Sequence, residues 1–238
     1  MGADVLSLDV IADITRVKAI DAVRARILVA VELGLLRPGE RLPTAADVAS
    51  GMDVSAITAR RALESLVDDG VLVRRPGRGG GTFVASRPVR VDDPAVRAMR
   101  ADEHTVRRLI DERLLMESAL AHLAAIHATD AQLAQLAEHV EAAAVADTWA
   151  AFHSADRAFH LGVGAASGSQ AAMRHAEVLH ALYRYYVPYP IEHLHASNEQ
   201  HRAILAALVA HDPVGAVAAT YAHVEVLYAE MFIGLDAR

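Results

Sequence analysis

The stretch Ser86-Arg-Pro-Val-Arg-Val-Asp-Asp-Pro94 constrains this chain most, because it carries two prolines and no helical period. Proline lacks the amide donor that helices and sheets need, so the stretch reads as a linker between two folded parts. The parts differ in composition. Residues 1–90 hold 13 Arg/Lys against 11 Asp/Glu, whereas the rest hold 10 against 19, and all 13 histidines follow position 103. A length of 238 residues suits two modest domains. The expected organisation is a first domain over 1–86, a linker over 87–102 and a second domain over 103–238, with different work for the two. Aromatics are only 5% of the chain, so Ala, Val and Leu must do the packing, which favours helices over a β-sandwich. The lack of cysteine excludes disulfide scaffolds, thiolate zinc sites and Cys nucleophiles. Residues 1–10 do not read as a signal peptide, and no apolar run approaches the ~18 residues of a membrane span, so a cytoplasmic protein without a membrane partner is expected.

Local pattern gives the fold class: mainly α, with an N-terminal winged helix-turn-helix and a C-terminal antiparallel all-α bundle. Val17 to Leu36 has Ile20, Val23, Ile27 and Val31 at helical spacing and stops near Gly34. Thr44 and Ser55 can each cap a short helix. Two strands, Val71–Arg75 and Thr82–Ala85, flank the hairpin Pro76-Gly-Arg-Gly-Gly-Gly81. After the linker, helices are expected over about 103–128, 130–146, 148–166, 170–187, 190–210 and 213–234, with Asp130, Asp147 and Asp212-Pro213 as N-terminal caps. Short loops make neighbouring helices antiparallel.

Two constellations carry chemistry. In the first, the N-terminal end of a recognition helix offers Ser55, Thr58, Arg60 and Arg61 to a major groove, with Thr44 at the preceding helix. A wing with Arg78 and Gly79 can approach the phosphate backbone closely, since glycines remove side-chain bulk. Arginine reads guanine bidentately or holds phosphate. One such helix covers few base pairs, so a homodimer on a pseudo-palindromic operator is expected.

In the second, Asp156-Arg-Ala-Phe-His160 places two metal-ligand types at i and i+4 on one helix face. His201 and His223 are equidistant from position 212, at the turn between their helices. In an antiparallel hairpin such residues come level. One Asp and three His would then surround a divalent metal, and the set suits Zn, Ni, Co or Mn. His153 is a candidate for a cavity wall. An alternative reading is a metal-dependent helical enzyme, a hydrolase or di-iron oxidase, with the metal activating water. Against it, no general base stands out near His160 in the sequence, and a winged helix fused to a helical bundle is an odd frame for an enzyme.

Two resemblances sharpen both readings. Glu32-Leu-Gly-Leu-Leu-Arg-Pro-Gly-Glu-Arg-Leu-Pro43, Asp53-Val-Ser55, Arg60-Arg-Ala-Leu-Glu64, Asp69-Gly-Val-Leu-Val-Arg-Arg75 and Gly77-Arg-Gly with Thr82-Phe-Val84 resemble the N-terminal domain of GntR-family transcription regulators. The chain departs at Thr44-Ala45-Ala46, where the family usually has Ser-Glu-Arg, and at Ala56, where it usually has Arg, so the usual operator does not carry over. Arg113, Glu117, Leu123-Ala-Ala125, Asp156, Phe159-His160, His201-Arg202-Ala-Ile204 and His223 resemble the FCD ligand-sensing domain of the FadR subfamily. Departures are Ser169 for a common Asn and Gln200 for a common Glu. The resemblance implies that Asp156, His160, His201 and His223 bind the metal, that the metal helps hold a small carboxylate effector, and that Arg113 pairs with that carboxylate. The implied function is an effector-controlled transcription regulator, a repressor, and not an enzyme.

Overall fold

A computed structural model describes residues 6–189 and 191–230, with side chains from residue 19 to 229 except 190, 192, 193 and 196. Residues 1–5, part of the segment read above for a signal peptide, and 231–234 lie outside the described residues. The chain forms two compact units, Met1–Arg100 and Ala101–Arg238.

In the first unit, α1 (Leu6–Glu32), α2 (Ala45–Gly51) and α3 (Ala56–Asp68) precede β1 (Leu72–Arg75) and β2 (Gly81–Val84). Helix α1 begins upstream of the Val17 expected from spacing. Gly34, at φ +71°, turns the chain out of it. Thr44 caps α2 through a capping box with Asp47, and the Ser55 hydroxyl accepts from the Thr58 amide at the start of α3. Apolar residues of all three helices, including Ile27, Leu28, Val48, Leu63 and Leu66, are buried. β1 and β2 are antiparallel, in register from Leu72 opposite Val84 to Arg75 opposite Gly81. Residues 39–42 add a short third edge: Leu42 N donates to Thr82 O and Val84 N to Glu40 O, each at 2.9 Å. The hairpin needs its glycines. A Cβ on Gly80 would lie 2.3 Å from the Arg75 carbonyl oxygen, and Gly79 sits at φ +84°.

The stretch read as a linker is not irregular throughout. Pro94–Ala101 forms α4. Pro94 stands at its first turn, where a missing amide costs nothing, and Asp93 Oδ1 accepts from Ala95 N. Val96 and Met99 are buried on one face.

The second unit is helical: α5 (Glu103–His127), α6 (Asp130–Ala144), α7 (Trp149–Ala166), α8 (Ala171–Tyr183), α9 (Ile191–Val209), α10 (Pro213–Glu225) and α11 (Leu227–Glu230). The caps of α6 and α7 are Thr129 and Thr148, not the neighbouring Asp130 and Asp147. Their hydroxyls accept from the third amide on, and Gln132 closes a capping box with Thr129. Asp212 caps α10 with Pro213 at its first turn, as expected. Helix α8 stops at Tyr183, short of 187, because Pro188 follows closely and cannot continue the ladder. The last expected helix breaks after Glu225 into α10 and α11. Alanines 121, 124, 125 and 216 let α5 and α10 approach around Phe159, Val163, Ile204 and Leu208. No described helix is long and apolar enough to cross a membrane.

Candidate functional site

In the first unit, the start of α3 and the tip of the wing are exposed. Ser55, Arg60 and Arg61 stand out from α3, and Arg78 and Gly79 from the hairpin. Thr44 is exposed but committed to its capping box. Thr58, expected to face DNA, is turned inward: it is 4% exposed, and its hydroxyl is 2.8 Å from that of Ser55. Ile57, missed in the sequence, is 61% exposed on the first turn of α3. The signal for it was its place one residue out of phase with the buried Thr58 and Ala59. An apolar side chain there suits a thymine methyl. Arg75 covers the Phe83 ring at 4.3 Å and stiffens the wing.

In the second unit, five helices bring polar side chains into the core. α5 supplies Arg113 and Glu117, α7 Asp156 and His160, α8 His175 and Tyr183, α9 Asn198 and His201, and α10 His223. His201 and His223 do come level across their hairpin, with ring centroids 4.6 Å apart, and each lies 5.0 Å from His160. Ligand atoms of the three rings all fall within 4.8 Å of one another. His160 Nε2 is 3.2 Å from His223 Nε2 and 3.7 Å from Asp156 Oδ1, which is 3.3 Å from His201 Nε2.

The outer nitrogens decide what the inner ones are. His160 Nδ1 faces Glu117 Oε2 at 3.2 Å, His201 Nδ1 faces Asn198 Oδ1 at 3.4 Å, and His223 Nδ1 faces Gln200 Oε1 at 2.9 Å. Asn198 donates its Nδ2 to the Val140 carbonyl, which fixes its oxygen toward His201. Each ring therefore carries its proton on Nδ1, and each Nε2 is a lone pair. Lone pairs 3.2 Å apart, and 3.3 Å from a carboxylate oxygen, do not hydrogen-bond. His201 Nε2 is buried without any hydrogen-bond partner. A metal with ligand bonds of about 2.1 Å separates neighbouring ligand atoms by about 3.0–3.4 Å. The three imidazole nitrogens thus fit a divalent ion, and Asp156 Oδ1 lies beside them, within spacing of His201 Nε2 but 3.7 Å from His160 Nε2. Histidines that donate their other N–H to an oxygen are the usual supporting arrangement of such a centre.

Opposite charges pair around the cluster. Arg113, 1% exposed, donates to Glu117 from Nε at 2.9 Å and from Nη2 at 3.4 Å. Its Nη1 donates to the Tyr186 hydroxyl at 2.7 Å, and Nη2 is 2.9 Å from His160 Nε2. Glu117 also meets His175 Nε2 at 2.7 Å. Burial would raise the Glu117 carboxyl, but Arg113 and His160 overcome it and hold it well below the usual carboxylate range. Asp156, bonded by the Tyr183 hydroxyl at 2.7 Å, is likewise held low against burial by His160 and His201. Burial pushes His201 down to about 4, and burial with the neighbouring imidazoles pushes His223 down, so both stay neutral ligands. Burial opposes a charge on His160 too, but Glu117 and Asp156 raise it.

Comparison with known proteins agrees with both units. Residues 19–84 match the family described as bacterial regulatory proteins, gntR family, and residues 108–226 match the FCD domain. The chain belongs to the GntR family. Within it, the chain joins the winged helix-turn-helix to an FCD domain, as in the FadR subfamily, and it is a transcription regulator rather than an enzyme. Among its relatives, a protein named as the HTH-type transcriptional regulator RmpR of Mycobacterium gastri is 34% identical over 163 residues, 66% of this chain and 58% of that one. An Escherichia coli K12 protein named as an L-lactate dehydrogenase operon regulatory protein is 29% identical over 225 residues, 89% of this chain and 85% of that one. The solved structure of Streptococcus agalactiae GntR aligns with a TM-score of 0.47 at 27% identity, covering 88% of this chain and 99% of that one.

The GntR-type DNA-binding domain implies DNA as the partner, which removes the enzyme alternative. The structure gathers Asp156, His160, His201, His223 and Arg113 in one place. Glu117, His175, Tyr183, Tyr186, Asn198 and Gln200 were not singled out as site residues. Glu117 did carry a signal: with Arg113 it sits on the stripe Val106, Ile110, Leu120, Ala121 and Ala124, where a solvated ion pair has no place. His153 stacks on Trp149 and touches Tyr183 and Tyr186.

Proposed function

We propose that this GntR-family regulator binds a pseudo-palindromic operator as a homodimer in the cytoplasm, and that a small carboxylate effector held at a divalent metal in the FCD domain controls that binding. The observation that carries this reading is the set of three Nε2 lone pairs and Asp156 Oδ1 turned toward one point, with every Nδ1 committed elsewhere. Asp156, His160, His201 and His223 would hold Zn, Ni, Co or Mn, and the metal supplies a Lewis-acid position for an anionic oxygen. With neutral imidazoles, Arg113, Glu117 and Asp156 sum to −1; a divalent ion makes the cluster +1, which one carboxylate neutralises. Arg113 gives that carboxylate a second, bidentate-capable partner. The relative named for an L-lactate dehydrogenase operon supports a small hydroxy acid among candidate effectors. Ser55, Ile57, Arg60 and Arg61 would read bases, with Arg78 and Gly79 on the phosphate backbone. The chain would act as a repressor.

Elemental analysis of purified wild type and His201→Ala tests the centre. One metal per chain is expected in the wild type and much less in the variant, with DNA selected from a random pool still bound by both. Equal metal content, or a wild type that takes up neither zinc nor nickel, refutes the site.

A further inference from the structure

Among the described residues, the candidate metal ligands have little open space beside them. Asp156, His160, His201 and His223 are each buried, and the cavity beside them, lined by Glu117, Phe159, His160, His175 and Thr220 among others, holds about 10 Å³. That is a single water's room, and a carboxylate does not fit it. That cavity gives an effector no room at the cluster.

A separate aromatic cluster, which does not line that cavity, meets Arg113 and Asp156. Trp149 stacks on His153 at 5.3 Å, His153 meets Tyr183 edge-on at 4.4 Å, and Tyr183 meets Tyr186 at 4.9 Å and 88°. The two tyrosines are held differently. Tyr183 closes the last turn of α8, and its hydroxyl donates to Asp156 Oδ2. Tyr186 lies beyond the helix end, where the backbone bonds from Tyr186 N to Tyr183 O at 3.2 Å and from Tyr189 N to Val187 O at 3.0 Å close single turns only. Pro188 bars a longer ladder. The Tyr186 hydroxyl accepts from Arg113 Nη1 at 2.7 Å, the geometry in which a carboxylate oxygen takes a guanidinium.

We propose that Tyr186 is a displaceable cap on the effector pocket: its hydroxyl occupies the place on Arg113 that the effector carboxylate takes, and effector entry swings it away while Tyr183 stays on Asp156. The inference rests on the metal-and-carboxylate reading above. Exchanging a neutral phenol for an anion strengthens the bond to Arg113, so the exchange favours the bound state. The vacated slot is the size of one phenol ring, between His153 and Tyr183, which sets the bulk an effector can bring.

The test uses the full chain and begins with zinc titration of wild type, Tyr186→Phe and Tyr186→Ala. Equal stoichiometry in all three is expected, and a wild type that binds no zinc overturns the metal reading at this first step. EDTA is then used to strip the zinc. Tyr186→Ala should lose it several-fold faster than wild type, and equal rates overturn the cap. Finally acetate, L-lactate and citrate are titrated into the zinc-loaded proteins, read by the fluorescence of Trp149, the chain's single tryptophan. Tyr186→Phe keeps the ring but has no hydroxyl to displace, so its tightest carboxylate should bind roughly 3–10-fold more tightly than to wild type. Unchanged or weaker binding, or no binding of any of the three to Tyr186→Phe, overturns the exchange on Arg113.

Discussion

Replacing Glu117 by Gln strikes the centre without touching a metal ligand. Glu117 takes hydrogen bonds from Arg113, His160 and His175, all buried. Glutamine offers one oxygen where these donors need two, and its own N–H₂ then faces donors. The fully buried Arg113 charge also loses its nearest counter-ion, and breaking a buried pair on one side costs about 3–5 kcal/mol. For a unit of this size each kcal/mol shifts the midpoint by roughly 2–4 °C, so the metal-free helical unit should melt about 6–20 °C lower. His160 loses the acceptor that fixes its tautomer, which weakens metal binding by about 10–100-fold. Calorimetry gives the first number and a zinc titration against a competing chelator the second. The double variant Glu117→Gln with Arg113→Met should be more stable than Glu117→Gln alone, because no charge is then left unpaired. A single variant that melts with the wild type and binds zinc within about three-fold of it would refute the reasoning, as would strictly additive losses in the double variant.

Zinc affinity should fall as pH drops from 8 toward 6, because His160, raised by Glu117 and Asp156, must shed a proton before it ligates; an affinity flat across that range in a titration would contradict this. Metal-free stability should decline from pH 6.5 toward 4, since His201 titrates at about 4 when folded but near 6.5 when unfolded, so the unfolded chain takes the proton first and about 3 kcal/mol is lost across that window; a melting midpoint unchanged between pH 7 and 4.5 would count against it. Arg60→Ala should weaken operator binding by about 1–3 kcal/mol and relax specificity if the guanidinium reads a base, measured by titrating selected and scrambled duplexes; unchanged binding of both would remove Arg60 from the interface. Arg24, buried on α1, bonds Ser65, Asp69 and Asp93, which caps α4. Arg24→Met should destabilise the first unit by about 2–3 kcal/mol, below the full buried-pair figure because Asp69 is partly solvated; an unshifted thermal transition of that unit would show the tie to be idle.

What the sequence showed, and what it hid, follows from how far a signal reaches along the chain. Asp156 and His160 are a spacing of four on one helix, and His201 and His223 are a symmetric pair about one turn, so both could be read locally. The wing was legible because its glycines and flanking β-formers are contiguous. Asn198 and Gln200 gained meaning only when α9 docked and set them behind His201 and His223. Tyr186 is joined to Arg113 across 73 positions, and no local pattern marks that contact. The linker misled for a different reason. Its prolines were read as breakers, but Pro94 follows a capping Asp93 and so starts a helix. Thr129 and Thr148 displaced their acidic neighbours as caps by a single position, the scale on which cap geometry is settled by tertiary contacts rather than by residue type.

The placement of charge orders the events at this centre. The folded, metal-free cluster holds two carboxylates against one guanidinium, with its imidazoles turned lone pair to lone pair, so it attracts a cation and repels an anion. A carboxylate arriving first would meet Asp156, Glu117 and three Nε2 lone pairs, with Arg113 already paired. Once a divalent ion sits among the nitrogens the sign reverses, and Arg113, freed from His160 Nε2, adds to the attraction. On the proposed function, metal binding would therefore precede and license effector binding. The metal would then serve as a standing part of the receptor, and the carboxylate as the variable signal. The proton on His160 competes with the metal and not with the carboxylate, so acidity acts on the first step alone.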